Sequence, residues 1–394
     1  MQRALTTVVR VTTDAHAEAT EPLPDLRTEL DARREACAVE HDGAGTWTLL
    51  GHAEVVAAAR DPETFTSAAG SHRAIPNSLD GAEHAAYRAV VDRYLTDSAV
   101  AAQEQQCQMH AASIVDALPR GQTVDAIAQI GTPFAVRTQA TWLGWPAGIE
   151  DELVAWMADN YAATRSGDRA RTAEVAARFD GLVGRQVRAR REAGEGAPDD
   201  VTTRLLHETV DGRPLTDDEV VSILRNWTAG DLGSLAASLG VLVHRLATHP
   251  DRQDIARDRV AGGEHTAIET AIEEVLRIDD PFVANRRRTT REATVGGQTI
   301  PAGDRVLLNW TAANRDPRVF SDPDEFRPEE NAADNLVFGI GPHVCPGRAL
   351  TLMELRVAVT ELLSRTERLL PADEPPVRER PPGSGWARVP VVLA

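Results

Sequence analysis

The residues with the most distinctive chemistry lie in one segment near the C-terminus, residues 338–348, which contains Cys345, three glycines and two prolines. A helical pattern, with apolar residues at three- and four-residue spacing, begins directly after it at Ala349. A cysteine just ahead of a helix faces unpaired backbone N–H groups and the positive end of the helix dipole. Both favour the thiolate and lower the pKa of the thiol. A single soft, charged sulfur held by its own backbone suits the axial ligand of a haem iron.

Two other interpretations of Cys345 remain open on these residues alone. A lone cysteine is often a small buried hydrophobe, and a Cys-Pro pair also occurs in exposed haem-sensing motifs. The full segment is more specific, because it resembles the cysteine-loop signature of cytochrome P-450 enzymes, F-G-x-G-x-H-x-C-x-G, at every fixed position. The matching residues are Phe338, Gly339, Gly341, His343, Cys345 and Gly347. The resemblance implies that Cys345 binds iron, that the cofactor is haem b, and that Phe338 and Gly347 lie against it.

A long helix is predicted in the middle of the chain. Thr216 and Glu219 form a capping box, and the helical pattern continues to about His249. At 1.5 Å per residue the helix spans roughly 50 Å and must cross the core. Gly230 and Gly233 interrupt its middle at a cost of about 1 kcal/mol each relative to alanine. Either the helix packs closely against another helix there, or its backbone yields to admit a ligand, with Ser234 or Asp231 handling protons.

This helix resembles the oxygen-activation helix of the same family, the I helix, which the resemblance places over the haem. The family usually shows Ala/Gly-Gly-x-acid-Thr. Counting back from His249 puts the acid position on Gly233 and the threonine position on Ser234, whereas anchoring on Ala229 and Gly230 puts them on Leu232 and Gly233. The acid–threonine pair is incomplete in both alignments. Ser234 and Asp231 are therefore the predicted catalytic residues, and Ala229 and Gly230 the predicted haem contacts.

Glu274 and Arg277 have the i,i+3 spacing that places both side chains on one helix face. An exposed pair of little energetic value is the simpler interpretation. The position, about 70 residues before Cys345, matches the E-x-x-R motif of the family. The resemblance implies a buried network that supports the cysteine loop. The third member of that network falls on Glu330, with Arg327 as a geometric substitute.

Four basic or imidazole side chains are predicted to meet the haem propionates. His84 and Arg88 share one helix face at i,i+4, and Arg287 and His343 occupy the remaining family positions. Arginine suits a carboxylate because its fork binds both oxygens. Each residue taken alone is more simply explained as a surface residue.

The substrate pocket is predicted by position only. Trp386 has the chemistry to stack on an aromatic substrate, although packing explains it equally well. The predicted pocket residues are Ser67, Ala68, Asn226, Gly233, Val283, Ala284 and Trp386.

Composition limits the partners. The net charge of -18 argues against nucleic acid and anionic membrane. The chain contains no Gly-rich nicotinamide or flavin fingerprint, so electrons are expected from a separate ferredoxin or flavodoxin with its reductase. Arg348 and Arg356 are candidate docking residues. Three separated cysteines, no signal peptide and no apolar span predict a cytoplasmic protein.

The predicted fold is mainly α with smaller β-sheets, an α+β class. Residues 1–24 are expected to form a flexible arm, and residues 25–394 a single domain. The main strand signal lies at residues 283–309, where Gly296-Gly297 and residues 301–303 are predicted hairpin turns.

The predicted function is that of a soluble bacterial haem-thiolate monooxygenase, which uses O2 and two external electrons to oxidise a small organic substrate, in secondary metabolism. Oxidative coupling or O-demethylation of aromatic substrates by the same haem is an alternative. A peroxide-driven enzyme is another. A non-catalytic haem sensor or carrier is the alternative from another class.

Overall fold

The computed structural model describes residues 25–70, 73–380 and 383–394. The predicted arm, residues 1–24, lies outside the described residues. The described chain is mainly helical, with small sheets, as the sequence predicts.

Sixteen α-helices are present among the described residues. They are α1 Leu26–Ala36, α2 His52–Arg60, α3 Gly81–Asp92, α4 Asp97–Ala101, α5 Glu104–Ala117, α6 Thr132–Leu143, α7 Glu150–Ser166, α8 Arg169–Ala193, α9 Val201–Leu205, α10 Asp217–Thr248, α11 Pro250–Gly262, α12 His265–Ile278, α13 Trp310–Ala313, α14 Pro317–Phe320, α15 Pro328–Asn331 and α16 Arg348–Arg365.

The strands are short. They are β1 Val39–His41, β2 Thr46–Leu49, β3 Phe65–Thr66, β4 Thr123–Asp125, β5 Thr209–Val210, β6 Arg213–Pro214, β7 Ala284–Thr289, β8 Ala293–Val295, β9 Gln298–Ile300, β10 Arg305–Asn309, β11 Leu369–Pro371, β12 Val377–Arg378, β13 Trp386–Arg388 and β14 Pro390–Leu393.

Helix α10 begins and ends as the sequence predicts. The Thr216 side chain accepts from the Glu219 N–H, and the Glu219 side chain accepts from the N–H of Thr216, which completes the capping box. The helix runs for 32 residues, and its long buried face packs against α6, α8, α12 and α16. It therefore forms the centre of the core, and the residues in its middle are placed deep inside the molecule.

Two further segments with helical spacing in the sequence are divided in the structure. The pattern at residues 98–118 forms α4 and α5, and the pattern at residues 126–142 begins as a π-helix, Ala126–Gly131, before α6. Helices α7 and α8 are separated at Gly167, which takes a left-handed φ of 66°, and Asp168 caps α8.

The largest sheet has the order β1-β2-β10-β7-β3. Strand β10 pairs in parallel with β2 and antiparallel with β7. Gly296-Gly297 joins β8 to its antiparallel partner β9, as predicted. The hairpin predicted at residues 301–303 is wrong, because β9 and β10 do not pair and the turn carries the chain into the larger sheet.

Among the described residues, no helix combines the length with the apolar content that a membrane crossing requires.

Candidate active site

A cavity of ≈ 320 Å³ lies between the middle of α10 and the loop that carries Cys345. The predicted site residues that line it are Cys345, Phe338, Gly347, His343, Arg287, Asn226, Gly230, Asp231 and Ser234. The structure therefore brings together a thiol, the two predicted proton-handling groups and a guanidinium, although they are far apart in the sequence.

The loop before α16 holds Cys345 through its own backbone. The Cys345 N–H donates to the Phe338 carbonyl at 2.8 Å. Gly341 has a left-handed φ of 78°, and a Cβ there would lie 2.5 Å from the carbonyl oxygen of Ala59. Only glycine lets the loop turn this closely against α2.

The pKa of the Cys345 thiol departs from the sequence-based expectation. Burial raises this pKa and the charge of Asp231 raises it further, whereas a hydrogen bond from the Gly347 backbone N–H lowers it in part. Burial has the largest effect, because a thiolate loses its hydration inside the protein. A thiolate at this position therefore requires a positive partner, such as a coordinated metal cation.

Helix α10 continues as an α-helix past both of its central glycines, so the expectation that its backbone yields there is wrong. A Cβ at Gly230 would meet no atom within 4 Å, whereas a Cβ at Gly233 would lie 3.2 Å from the Tyr161 hydroxyl oxygen. Gly230 leaves space on the cavity side, while Gly233 permits the close approach of α7. Gly233 and Ala229 are not among the residues that line the cavity.

Asp231 and Ser234 both face the cavity. The Ser234 hydroxyl donates to the carbonyl of Gly230 at 2.6 Å, so its proton is committed to the helix and its oxygen is left as an acceptor. Burial raises the pKa of Asp231 to about 7. Its Oδ2 atom has no hydrogen-bond partner among the described residues. Asp231 can therefore hold a proton near neutral pH and release it into the cavity.

Arg287 is a buried cation on the cavity wall. Its side chain, on β7, donates to the Arg286 carbonyl at 2.8 Å. No carboxylate of the described residues lies within ion-pair distance of it, although the charge of Asp80 acts on it from farther away. Burial lowers its pKa. A guanidinium with 7 % exposure and no carboxylate partner is costly, so an anionic group in the cavity would stabilise it.

The other three residues that were predicted to contact the haem propionates lie in the cysteine loop or pack against it. His343 Nε2 lies 3.0 Å from both Ser67 Oγ and Asp80 Oδ1. The rings of His84 and His343 are 4.2 Å apart. Burial lowers the pKa of His84 to about 4, which keeps this ring neutral beside its neighbour.

Arg88 makes an ion pair with Asp92 at 2.7 Å and donates to the Val344 carbonyl at 2.8 Å. It also donates to the Pro342 carbonyl at 3.3 Å. His84 and Arg88 do not line the cavity. In this geometry, Arg88 ties α3 to the loop that precedes Cys345.

The predicted pocket residues divide into two groups. Asn226 lines the cavity. The others lie outside its lining: Ser67 contacts His343, Ala68 is exposed, Val283 and Ala284 lead into and begin β7, and Trp386 packs beside α10. The Trp386 indole donates to Asp279 at 3.0 Å and stacks under the Arg378 guanidinium at 3.6 Å. These contacts assign Trp386 to packing in this structure.

Glu274 and Arg277 form a buried ion pair, with Nε 2.7 Å from Oε2 and side-chain exposures of 1 % and 0 %. Glu274 also accepts from the Arg327 backbone N–H at 2.9 Å and from Asn331 Nδ2 at 2.8 Å. The predicted third position, Glu330, instead points to Arg327 at 3.7 Å. Asn331, one residue later, supplies the third side chain of the network.

Several cavity residues were missed by sequence reasoning. Asp280 is buried and its Oδ1 accepts from the Phe282 N–H at 2.7 Å, and burial raises its pKa well above the usual range. Trp142 and Trp227 add an aromatic wall, with ring centroids 5.1 Å apart. No local pattern marks these residues, because three separate helices and loops bring them together. Trp227 follows Asn226 directly, and that adjacency is the only available signal.

The two candidate docking arginines differ. Arg348 is half-exposed and pairs with Glu273 at 2.7 Å. Arg356 is buried and bridges Glu104 and Glu269 at 2.9 Å and 2.8 Å. Its assignment to a docking surface is therefore wrong, because its side chain is only 7 % exposed and cannot reach a partner protein.

Three comparisons with known proteins agree. Residues 162–393 match the family described as cytochrome P450. Linalool 8-monooxygenase of Pseudomonas putida is 29 % identical over 354 residues, covering 84 % of this chain and 85 % of that protein. The erythromycin C-12 hydroxylase of Saccharopolyspora erythraea is 31 % identical over 363 residues, covering 86 % and 87 %. A solved mutant of P450 EryK in complex with erythromycin B has a TM-score of 0.84 at 27 % identity, covering 93 % of this chain and 96 % of that one.

Proposed function

Because this chain belongs to the cytochrome P450 family, we propose that the cavity between α10 and the cysteine loop is where a small organic substrate is oxidised, with haem b bound through Cys345. The chain is a haem monooxygenase, and a non-catalytic haem sensor is not needed to explain its relatives. Coupling and demethylation are likewise not needed. The observation that carries the proposal is the presence of the Cys345 thiol and the unpaired Arg287 guanidinium on one cavity wall.

The residues around the cavity fit a haem. A porphyrin iron supplies the cation that a buried thiolate at Cys345 requires. A propionate supplies the carboxylate that Arg287 lacks. Gly230 leaves the face of α10 open where a flat ring would lie. His343 is proposed as a second propionate contact, while His84 and Arg88 hold the loop and the ring of His343 in place.

When bound, the haem supplies O2 activation, and the thiolate favours O–O cleavage. The chain's own residues position the substrate and provide protons. We assign proton donation to the Asp231 carboxyl group, since it alone on this part of α10 holds a proton near pH 7. The Ser234 oxygen is available to accept a hydrogen bond from a ligand in the cavity, because the hydroxyl proton is donated to the Gly230 carbonyl.

The proposed substrate is a small organic molecule of bacterial secondary metabolism. This follows from the activities that the names of the relatives state, including hydroxylation of erythromycin. The lining supports a mainly apolar ligand with one or two polar groups: Trp142 and Trp227 offer aromatic surface, and Asn226 and Asp280 offer hydrogen bonds.

P450 monooxygenases draw electrons from redox partners. We propose a ferredoxin or flavodoxin with its reductase, and Arg348 as a docking residue on the cysteine side. We also propose a cytoplasmic setting and one domain over residues 25–394. All three cysteines are free thiols, which suits a reducing compartment.

The test is the absorption spectrum of the reduced, carbon-monoxide-treated holoenzyme. Wild-type protein should show the far-shifted Soret band of thiolate ligation, and Cys345→Ser should lose it. Cys37→Ser is the matched control, because Cys37 is exposed. A retained band in Cys345→Ser would refute the assignment.

A further inference from the structure

Three aromatic rings lie in contact between the cavity and the surface. Trp142 and Trp227 line the cavity, and their ring centroids are 5.1 Å apart. The ring of Tyr94, in the turn that follows α3, has its centroid 5.6 Å from that of Trp227. Aromatic rings at these separations pack directly against each other, so only a short gap separates each ring from the next for the passage of an electron.

The row of rings ends at a carboxylate. The Tyr94 hydroxyl donates to Glu208 Oε1 at 3.0 Å, and the Glu208 side chain is 21 % exposed and pairs with Arg93. Burial raises the pKa of the Tyr94 phenol and the charge of Glu208 raises it further, so the phenol carries its proton at neutral pH. A phenol that loses an electron becomes strongly acidic, and Glu208 lies within hydrogen-bond distance to accept that proton.

Trp227 lacks such a proton acceptor. Its side chain is buried, and its Nε1 atom has no hydrogen-bond partner among the described residues. An indole donates a proton only through this atom. A Trp227 ring that has lost an electron therefore stays a cation, whereas Tyr94 can release its proton to Glu208 and become a neutral radical. This difference favours movement of the oxidation from Trp227 to Tyr94.

We propose that Trp227 and Tyr94 carry an oxidising equivalent from the haem site to the surface when no substrate consumes it. Trp227 gives one electron to the oxidant that O2 or a peroxide produces at the haem, and takes one electron from Tyr94. The Tyr94 proton moves to Glu208, which leaves a neutral phenoxyl radical and a neutral indole. A small enediol or thiol in solution then donates one electron to Tyr94, and Glu208 returns the proton. The inference rests on the proposed function of the cavity.

This path protects the cavity. An oxidising equivalent that stays inside it can attack the Cys345 sulfur and the indoles of the lining. Tyr94 is half-buried, and its hydroxyl lies beside the partly exposed Glu208, where small reductants can approach it. During exposure of the substrate-free holoenzyme to peroxide, Tyr94→Phe should therefore lose its haem absorption faster than the wild type. Equal rates of loss would overturn the protective path.

Electron paramagnetic resonance of the substrate-free holoenzyme, frozen rapidly after mixing with a peracid, tests for the radical directly. The chain has three tyrosines, so each can be replaced singly. The wild type should show a tyrosyl radical, identified by the narrower signal of protein that contains ring-deuterated tyrosine. Tyr94→Phe should lose this signal, whereas the matched controls Tyr87→Phe and Tyr161→Phe should keep it. A tyrosyl signal of wild-type intensity in Tyr94→Phe would overturn the proposal.

Two further variants test the route to Tyr94. Trp227→Phe puts a ring that is much harder to oxidise between the cavity and Tyr94, and should lose the tyrosyl signal. Trp142→Phe is the matched control, because it makes the same change in the cavity wall while the contact of Trp227 with Tyr94 remains. Glu208→Gln removes the proton acceptor and should lower the tyrosyl signal in favour of a tryptophan radical. Wild-type signals in Trp227→Phe or in Glu208→Gln would overturn the path.

The absorption of the reduced, carbon-monoxide-treated protein accompanies each measurement. A variant that keeps the thiolate band has folded and bound haem, so a missing radical signal in it reports on the path alone. A wild type that shows the thiolate band without a tyrosyl signal would overturn the path and leave the proposed function standing. A wild type without the thiolate band would instead refute the proposed function itself, so the two failures are distinguishable.

Discussion

Asn226 on α10 donates a hydrogen bond of 2.6 Å from Nδ2 to the carbonyl oxygen of Ile75. One turn earlier, Ser222 Oγ accepts from the Ile75 N–H at 2.9 Å. Both backbone groups of Ile75 are therefore held by the same helix. Pro76 and Asn77, which follow Ile75, line the cavity. The two side chains thus fix part of the cavity wall to the helix that forms its centre.

Ser222→Ala should loosen this wall without changing the cavity lining, to which Ser222 does not belong. Loss of one hydrogen bond of about 1 kcal/mol should speed ligand entry by about 5-fold. Stopped-flow binding of 4-phenylimidazole to the ferric haem measures that rate. Carbon monoxide binding to the reduced protein is the control, because so small a ligand should not need the wall to move. An unchanged phenylimidazole rate would contradict this role for Ser222.

Glu274→Gln should destabilise the protein by about 3–5 kcal/mol, because it leaves the Arg277 charge buried and uncompensated. Glu273→Gln is a closely matched control, since it makes the same change one residue earlier in a pair with the half-exposed Arg348. It should cost less than about 1 kcal/mol. Denaturant unfolding of both variants gives the comparison. Equal losses of unfolding free energy would show that the buried pair contributes no more to stability than the surface pair.

The residues that could be predicted are those that belong to short motifs, in which the interacting residues are close together in the sequence. The cysteine loop, the capping box of α10 and the Glu274–Arg277 spacing each lie within a few residues of sequence. Asn331 could not be predicted, because its contact with Glu274 depends on how α15 packs against α12. The same holds for Asp80, which reaches His343 from the other end of the chain.

Trp386 illustrates the limit of prediction from residue type. Its indole offers the same flat surface to a ligand or to a neighbour, and the sequence does not distinguish the two. In the fold, the indole N–H donates to Asp279, and the Arg378 guanidinium lies over the face of the ring. The pKa of Cys345 shows a second limit, because helix proximity is visible in sequence and burial is not.

Arg287→Met should have opposite effects on the apoprotein and on haem retention. Without haem, the buried guanidinium lacks a carboxylate partner, so its removal should leave the free energy of unfolding unchanged or raise it. With haem, loss of a charge-assisted contact of about 1.5–3 kcal/mol should speed haem release by at least about 10-fold. Haem transfer to apomyoglobin measures the release rate. Arg287→Lys keeps the charge, so its rate of haem release should lie between those of the wild type and of Arg287→Met. A stabilised apoprotein with unchanged haem release would argue against propionate binding.

The contribution of Asp231 to the stability of the protein should fall as the pH rises from about 4 to about 7. In the unfolded chain this carboxyl group ionises near its ordinary value of 3.8, whereas burial holds its proton in the folded protein up to about 7. Between those values the folded state binds more protons, so raising the pH favours unfolding. The raised pKa contributes stability that is present at low pH and lost through the folded midpoint. Asp231→Asn should therefore reduce the change in unfolding free energy between about pH 4 and about pH 7 by a few kcal/mol. The slope that remains combines the same effect at Glu354 and Asp280, whose pKa values burial also raises, with the opposite effect at His84 and His244, whose pKa values burial lowers to about 4. Denaturant unfolding at several pH values gives these slopes. An Asp231→Asn protein with the wild-type slope would show that this carboxyl group is already ionised in the folded state.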